Sequence, residues 1–232
     1  MPSTLITGAN RGLGLEFARQ YAADGWQVFA ACRDPSSASA LRRLADANGG
    51  GKVRILALDV TQSASIKAAA AELDGRAIDL LLNNAGIIGA RSQTVGNIDY
   101  ESWAKVFDAN TMGPMRVTEA FVEHVARSER KLIVTLTSGM GSLADNISGG
   151  SIAYRSSKAA VNMVMRSLAI DLAPRGITCV VVNPGWVQTD MGGPNATLTP
   201  SESVSRLRRL IDGLGPAQSG KFFNHDGREY AW

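Results

Sequence analysis

The apolar positions of this chain fall into short blocks separated by longer stretches of helical period. The blocks at residues 4–7, 27–31, 53–58, 78–82, 132–137 and 178–182 are brief and mostly apolar. Runs of that kind suit strands buried on both faces of a sheet. Between them, residues 13–23, 37–47, 63–73, 100–126 and 152–172 carry the helical period and are predicted helices. A helix over 201–210 and a short strand over 220–224 complete the pattern. Such alternation predicts an α/β fold, a parallel sheet with helices on both faces and right-handed crossovers. The expected topology is a Rossmann-like doubly wound sheet of about seven strands, ordered 3-2-1-4-5-6-7. No linker composition, repeat or low-complexity stretch divides the sequence, so residues 1–232 are expected to form one domain.

Composition narrows the class of function. Hydrophobic side chains make up 45% of the 232 residues, enough for an ordinary core. The net charge of +3 is small and spread along the chain, which argues for a solvated surface and against a nucleic-acid footprint. Cys32 and Cys179 stand far apart in apolar runs and share no ligand spacing with His124 and His225. They are expected to be reduced, buried thiols, and no metal site is expected. Residues 3–7 read as a strand entering a motif rather than as a signal peptide. No apolar run approaches the roughly 20 residues of a membrane span. The expectation is a soluble cytoplasmic protein without nucleic-acid or membrane partners.

Sheets of this kind bind ligands beyond the carboxyl ends of their strands. Nearly every chemically suggestive group lies there, at residues 8–14, 33–34, 59–60, 83–86, 138–141 and 183–185. The first strand ends in Thr7-Gly8-Ala9-Asn10-Arg11-Gly12-Leu13-Gly14. Gly8 permits a tight turn, Gly12 lets the backbone approach a pyrophosphate, and Gly14 lets the next helix pack closely. That helix then offers free N–H groups to phosphate. Sites that prefer NAD place an acid at the end of the second strand; here Cys32 stands in that position and Arg33 follows. Arg11 and Arg33 can make charge-assisted bonds to a 2′-phosphate, so the cofactor expected is NADP(H). Asp34 weakens that reading, since it could reach the ribose or pair with Arg33.

Tyr154 and Lys158 stand four residues apart and share a helix face. A free phenol titrates near pH 10 and is a poor base at neutrality, but a neighbouring ammonium favours its ionised form. Lowering it by three pH units needs roughly 4 kcal/mol of differential stabilisation. Ser138 follows the fifth strand and can hydrogen-bond a substrate oxygen as negative charge develops. Asn110 fits a helix interior poorly and is read as marking a break that holds a water.

At these positions the chain resembles the short-chain dehydrogenase/reductase superfamily. The glycine turn, Leu58-Asp59-Val60, Asn83-Asn84-Ala85-Gly86, Asn110, Ser138, Tyr154 with Lys158, and Asn183-Pro184-Gly185 occur in that family's order across nearly the whole chain. Gly149-Gly150 and the ending Gly220-Lys221-Phe222-Phe223-Asn224 with Asp226-Gly227-Arg228 resemble the C-factor/sniffer-like carbonyl reductase branch. The resemblance implies that Tyr154 is the acid in carbonyl reduction and the base in alcohol oxidation. It implies that Lys158 lowers the Tyr154 pKa and binds the nicotinamide ribose, that Ser138 orients the substrate oxygen, and that Asn110 holds a relay water. Gly8, Asn10, Arg11, Gly12, Leu13, Gly14 and Arg33 would hold phosphate and ribose groups. Asp59 and Val60 would meet the adenine, Asn84, Ala85 and Gly86 the ribose, and Pro184, Gly185, Val187 and Thr189 the nicotinamide end. Asn83 is expected to brace neighbouring strands.

Ser138 stands further from Tyr154 than is usual in the family, and Ser142 stands nearer. Ser138 is retained because it directly follows the strand at 132–137. The extra residues are expected to form a longer loop, 143–151, over the pocket. Trp186 and residues 191–199 are expected to form a lid, with 87–96 beside it, around a small carbonyl or alcohol substrate. Apolar positions around the helix at 152–172, Met163 and Ile170 among them, suit a homodimer or homotetramer contact. Two other functions compete. A nucleotide-sugar epimerase or dehydratase shares the Tyr/Lys pair but needs a substrate domain for which little sequence follows the last strand. A non-catalytic NADPH-binding regulator or C-factor-like signal would not need Asn110, Ser138, Tyr154 and Lys158 together.

Overall fold

The computed structural model describes residues 1–49, 51–90 and 93–232. Seven strands form one parallel sheet: β1 (Ser3–Thr7), β2 (Gln27–Cys32), β3 (Val53–Ala57), β4 (Leu80–Asn83), β5 (Leu132–Leu136), β6 (Thr178–Asn183) and β7 (Phe222–Asn224). Their order is β3-β2-β1-β4-β5-β6-β7, with every pairing parallel. The chain winds outward from β1 to β3, then returns to start β4 on the other side of β1. That reversal opens a crevice at the carboxyl ends of β1 and β4.

Alternation along each strand divides the core in two. Ile6, Val28, Val180 and Val182 face α1 (Gly12–Ala23), α2 (Ser39–Ala47) and α7 (Pro200–Asp212), where Phe17, Tyr21, Leu41, Val204 and Leu207 are buried. Leu5, Phe29, Cys179 and Val181 face α3 (Ser63–Glu72), α5 (Gly113–Ala126) and α6 (Ile152–Asp171), where Ile66, Phe121, Val161 and Met165 are buried. Each fully buried aliphatic or aromatic side chain contributes roughly 1.5–3 kcal/mol. Both faces are covered, which explains why the strands read as continuous apolar runs.

Two helix boundaries carry information about the site. The segment expected as one helix over 100–126 is two: α4 (Tyr100–Phe107) and α5 are joined by a π-helical turn over Asp108–Met112. The break falls at Asn110, whose buried side chain bonds outside the helix. α7 begins one residue earlier than expected, at a capping box. There Thr199 Oγ1 accepts from Glu202 N at 3.2 Å while Glu202 Oε2 accepts from Thr199 N at 2.9 Å.

His124, near the end of α5, is buried against Phe121, and burial followed by the Arg127 charge pushes its pKa below 6.5. Above that value both folded and unfolded chains hold it neutral, and its contribution to stability is complete. As the pH falls through 6.5 the unfolded chain takes up a proton that the folded chain resists, so stability is lost on the acid side. Urea midpoints measured between about pH 7.5 and 5 are expected to fall less steeply for His124→Leu than for the native chain.

Candidate active site

The crevice begins at the glycine turn after β1. Gly8 and Gly12 have φ of +66° and +55°, a left-handed backbone that side chains rarely adopt. A Cβ on Gly14 would lie 2.3 Å from the Gly8 carbonyl oxygen, so only glycine lets α1 start this close to β1. α1 has no side-chain cap at Arg11, which leaves its first N–H groups facing the crevice. An uncapped helix start behind a glycine turn is the geometry that receives a pyrophosphate. Asn84 holds the turn in shape: its Nδ2 donates to the carbonyls of Thr7 at 2.8 Å and Gly8 at 3.1 Å. Its carboxamide is therefore spent on the turn, whereas Ala85 and Gly86 continue along the crevice. Thr7 was not singled out from sequence, yet its Oγ1 accepts from the N–H groups of both Asn84 and Ala85.

At the adenosine end, Cys32 is buried and Arg33 is exposed. Asp34 is engaged locally: its Oδ1 accepts from Ser36 N at 2.9 Å, closing a turn. Asp59 does similar work, with Oδ1 accepting from the N–H and hydroxyl of Thr61 at 2.9 and 2.8 Å. Val60 is buried beside Gly113, where a Cβ would sit 3.0 Å from its Cγ2. Arg11 reaches across the crevice to Asp190, Nη1 to Oδ2 at 2.9 Å. Sequence reasoning gave no signal for that pair, because its partners are far apart in the chain.

The segment after β6 folds back toward the glycine turn. Gly185 has φ +79°, and a Cβ there would meet His225 Cδ2 at 2.7 Å and Leu198 Cδ1 at 2.8 Å. Val187 is buried and bridges to Leu198. Thr189 Oγ1 accepts from Gly192 N at 3.2 Å, and Thr189 Cγ2 lies 3.4 Å from where a Gly12 Cβ would be. The lid segment thus rests on the glycine turn. Asn83 braces strands as expected, with Nδ2 donating to Thr118 and Thr135 hydroxyls at 3.4 and 3.3 Å.

Tyr154 and Lys158 lie on the first turns of α6, both buried. The helix packs on the 3₁₀ turn Gly139–Gly141, and a Cβ on Gly141 would be 2.8 Å from Lys158 Cβ. Lys158 Nζ donates to the Leu136 carbonyl at 2.9 Å and lies 5.7 Å from the Tyr154 ring centre. Burial pulls the Lys158 pKa down to about 8. Burial also pushes Tyr154 up to about 12, and a hydrogen bond with the Ser138 hydroxyl opposes that rise. The acidification expected from Lys158 is therefore not what these side chains produce: removal from water outweighs an ammonium turned toward Leu136. Ser138 Oγ accepts from Met140 N at 3.1 Å, which leaves its own proton to donate. Ser142 is turned elsewhere, donating to the Trp232 main-chain oxygen at 3.2 Å.

Asn110 joins three elements. Oδ1 accepts from Ile87 N at 2.8 Å, and Nδ2 donates to Ile87 O at 2.8 Å and Ser157 Oγ at 3.0 Å. The carboxamide is thus committed to protein atoms, so a water beside it would have to bond to the main chain freed by the π turn. Among the described residues no group of His, Cys, Asp and Glu is placed to hold a metal ion. No described helix is long and apolar enough to cross a membrane.

A family model described as short chain dehydrogenase matches residues 3–198. The C-signal protein of Myxococcus xanthus is 48% identical over 155 residues, covering 67% of this chain and 93% of that protein. Among solved structures, the carbonyl reductase Sniffer of D. melanogaster superposes with a TM-score of 0.93 at 33% identity, covering 100% of both chains. The NADPH-bound carbonyl reductase from chicken fatty liver does so with a TM-score of 0.93 at 37% identity, covering 100% of this chain and 99% of that one. The seven-stranded parallel sheet, the glycine turn and the Ser138 turn beside buried Tyr154 and Lys158 thus occur in a chain that belongs to the short-chain dehydrogenase family of oxidoreductases.

Proposed function

We propose that this chain, acting as one dinucleotide-binding oxidoreductase domain, reduces small aldehydes, ketones or quinones with NADPH, and oxidises the corresponding alcohols in reverse. The observation that carries the reading is a buried Tyr154 hydroxyl beside Ser138, on a helix that also buries Lys158. When bound, NADPH supplies the hydride that adds to the carbonyl carbon. The Tyr154 phenol gives its proton to the carbonyl oxygen as charge develops there. Burial raises the Tyr154 pKa, so the phenol carries that proton at neutral pH. The Ser138 hydroxyl, oriented by Met140 N–H, donates to the same oxygen. Lys158, beside Gly86, holds the ribose and returns a proton to Tyr154. Asn110 fixes the main chain of Ile87 against α6, and its own carbonyl holds the relay water.

The cofactor is NADP(H): Arg33 stands exposed after β2, no acid occupies the Cys32 position, and the chicken fatty liver relative carries NADPH. Arg11 exchanges Asp190 for the 2′-phosphate, since an exposed ion pair holds it by only about 0–1 kcal/mol. Asn10 and Leu13 complete the phosphate turn, and Asp59, Val60, Pro184, Val187 and Thr189 line the adenine and nicotinamide ends. Exposed Met163 and Ile170 on α6 offer a face to a second copy of the chain in a cytoplasmic homo-oligomer. Similarity to C-signal favours a signalling role as a second reading. A carbonyl panel with NADPH, followed at the cofactor absorbance, separates the two, because a non-catalytic binder shows no turnover.

In that assay Tyr154→Phe is expected to lose about 10³-fold or more in kcat. Ser138→Ala is expected to lose about 10²-fold, and Ser142→Ala far less; the reverse ranking would transfer the role to Ser142. Arg33→Asp is expected to shift preference toward NADH, and unchanged preference in the Arg11/Arg33 double variant would remove both from 2′-phosphate recognition. Lys158→Met tests the cost of the buried amine. Its proton is held to about pH 8 in the folded chain but to 10.5 in its ordinary state, so the charge destabilises the fold below pH 8 and the penalty vanishes above 10.5. The variant is expected to be inactive, yet about 1–3 kcal/mol more stable at pH 7 by urea unfolding.

A further inference from the structure

The chain beyond β7 turns back on itself and reaches the catalytic serine. Asn224 N donates to Arg228 O at 2.8 Å, Gly227 N to Asn224 O at 2.9 Å, and Tyr230 N to Phe222 O at 2.7 Å. This hairpin stacks Tyr230 and Trp232 on the fully buried Phe222, with ring centres 4.9 and 5.6 Å away. Its returning arm then meets the segment that follows Ser138. The Trp232 main-chain oxygen accepts from Ala144 N at 3.0 Å and from Ser142 Oγ at 3.2 Å. The Tyr230 hydroxyl lies near the Asp145 carboxylate. It also closes on Gly139 so tightly that a Cβ there would lie 2.7 Å from the hydroxyl oxygen and 3.3 Å from Cζ.

Gly139 is the first residue of the turn that Ser138 caps. Gly141 N donates to Ser138 O at 2.9 Å, Met140 N to Ser138 Oγ at 3.1 Å, and Ser142 N to Gly139 O at 3.0 Å. The bonds that hold Ser138 to its neighbours in the chain all lie within this one short turn. Nothing in its own sequence, Ser138-Gly139-Met140-Gly141, restricts it: two of the four residues are glycine. The far end of the following loop is held separately, by Arg155 Nε donating to Gly149 O at 3.0 Å and Nη2 to Ser148 Oγ at 2.8 Å. Between these anchors Leu143 and Ile147 are exposed.

We propose that Tyr230 and Trp232 are positioning residues of the reductase site. They fix the turn Gly139–Gly141 from outside, and so set the direction in which Ser138 presents its proton and the edge of the pocket that receives the carbonyl compound. The inference rests on the Ser138–Tyr154 reading of the site. The glycine at 139 is present because the Tyr230 hydroxyl occupies the space of its side chain. The strap acts through the serine.

The contact between Gly139 and the Tyr230 hydroxyl gives a direct test. Gly139→Ala is expected to lower kcat about tenfold or more, because displacing the turn misaims Ser138. Adding Tyr230→Phe removes the atom that the new methyl strikes, so the double variant is expected to recover most of that loss. Tyr230→Phe alone, and Trp232→Ala, are expected to lower kcat or raise the carbonyl KM severalfold. NADPH affinity, read by fluorescence titration, and the unfolding midpoint are expected to stay unchanged in Tyr230→Phe. A Gly139→Ala chain that fails to fold leaves the Tyr230→Phe and Trp232→Ala kinetics to decide. Native kinetics in both, or a Gly139→Ala loss undiminished by Tyr230→Phe, overturns the proposal. If Tyr154→Phe retains full turnover, the reading of the site fails instead, and the two failures are told apart by that variant.

Discussion

The site depends on burying an amine beside a phenol. Lys158 is removed from water on α6, and desolvation lowers its pKa while raising that of Tyr154. Water would erase both effects, so the rest of the local architecture serves to exclude it. Gly141 lets α6 approach the Ser138 turn until Lys158 Cβ fills the space of a side chain. Leu136 supplies the carbonyl that makes a buried ammonium tolerable. This arrangement costs stability in the free protein; in the carbonyl reduction proposed above, it gives a protonated, dry phenol poised to donate.

Amide and hydroxyl side chains tie the loops around that core. Asn84 and Thr7 lock the glycine turn to the end of β4, Asn110 ties Ile87 to α6, and Asn183 Nδ2 donates to Asn224 Oδ1 at 2.9 Å between β6 and β7. Each joins segments distant in sequence. Loops in a doubly wound sheet are separate excursions from the sheet, and without such ties their relative positions would be loosely set. The ties bring the phosphate turn, the Ser138 turn and the segment after β6 into one crevice.

Part of the site was legible because its signals are local. The glycine turn was readable from φ-demanding residues directly after an apolar strand, and Tyr154 with Lys158 from a spacing that fixes one helix face. The π turn at Asn110 was visible as a polar residue badly placed in a helical stretch. The roles of Asn84 and Arg11 were not readable, because each is decided by a partner elsewhere: the carbonyls of residues 7 and 8 for one, Asp190 for the other. The upward push of burial on the Tyr154 pKa was not readable, because burial depth is a property of packing and the pull of Lys158 depends on where its Nζ points.

The sequence by itself therefore determined the strand and helix order, the parallel sheet and the identity of the groups capable of chemistry. Periodicity, glycine and short-range spacing are properties of neighbouring residues, and they survive without coordinates. The tertiary structure alone decided which serine faces the phenol, which direction the lysine donates, and that the chain beyond β7 returns to the catalytic turn. Those outcomes follow from contacts between segments brought together by sheet order, and each depends on a distance of a few ångströms that no local pattern encodes.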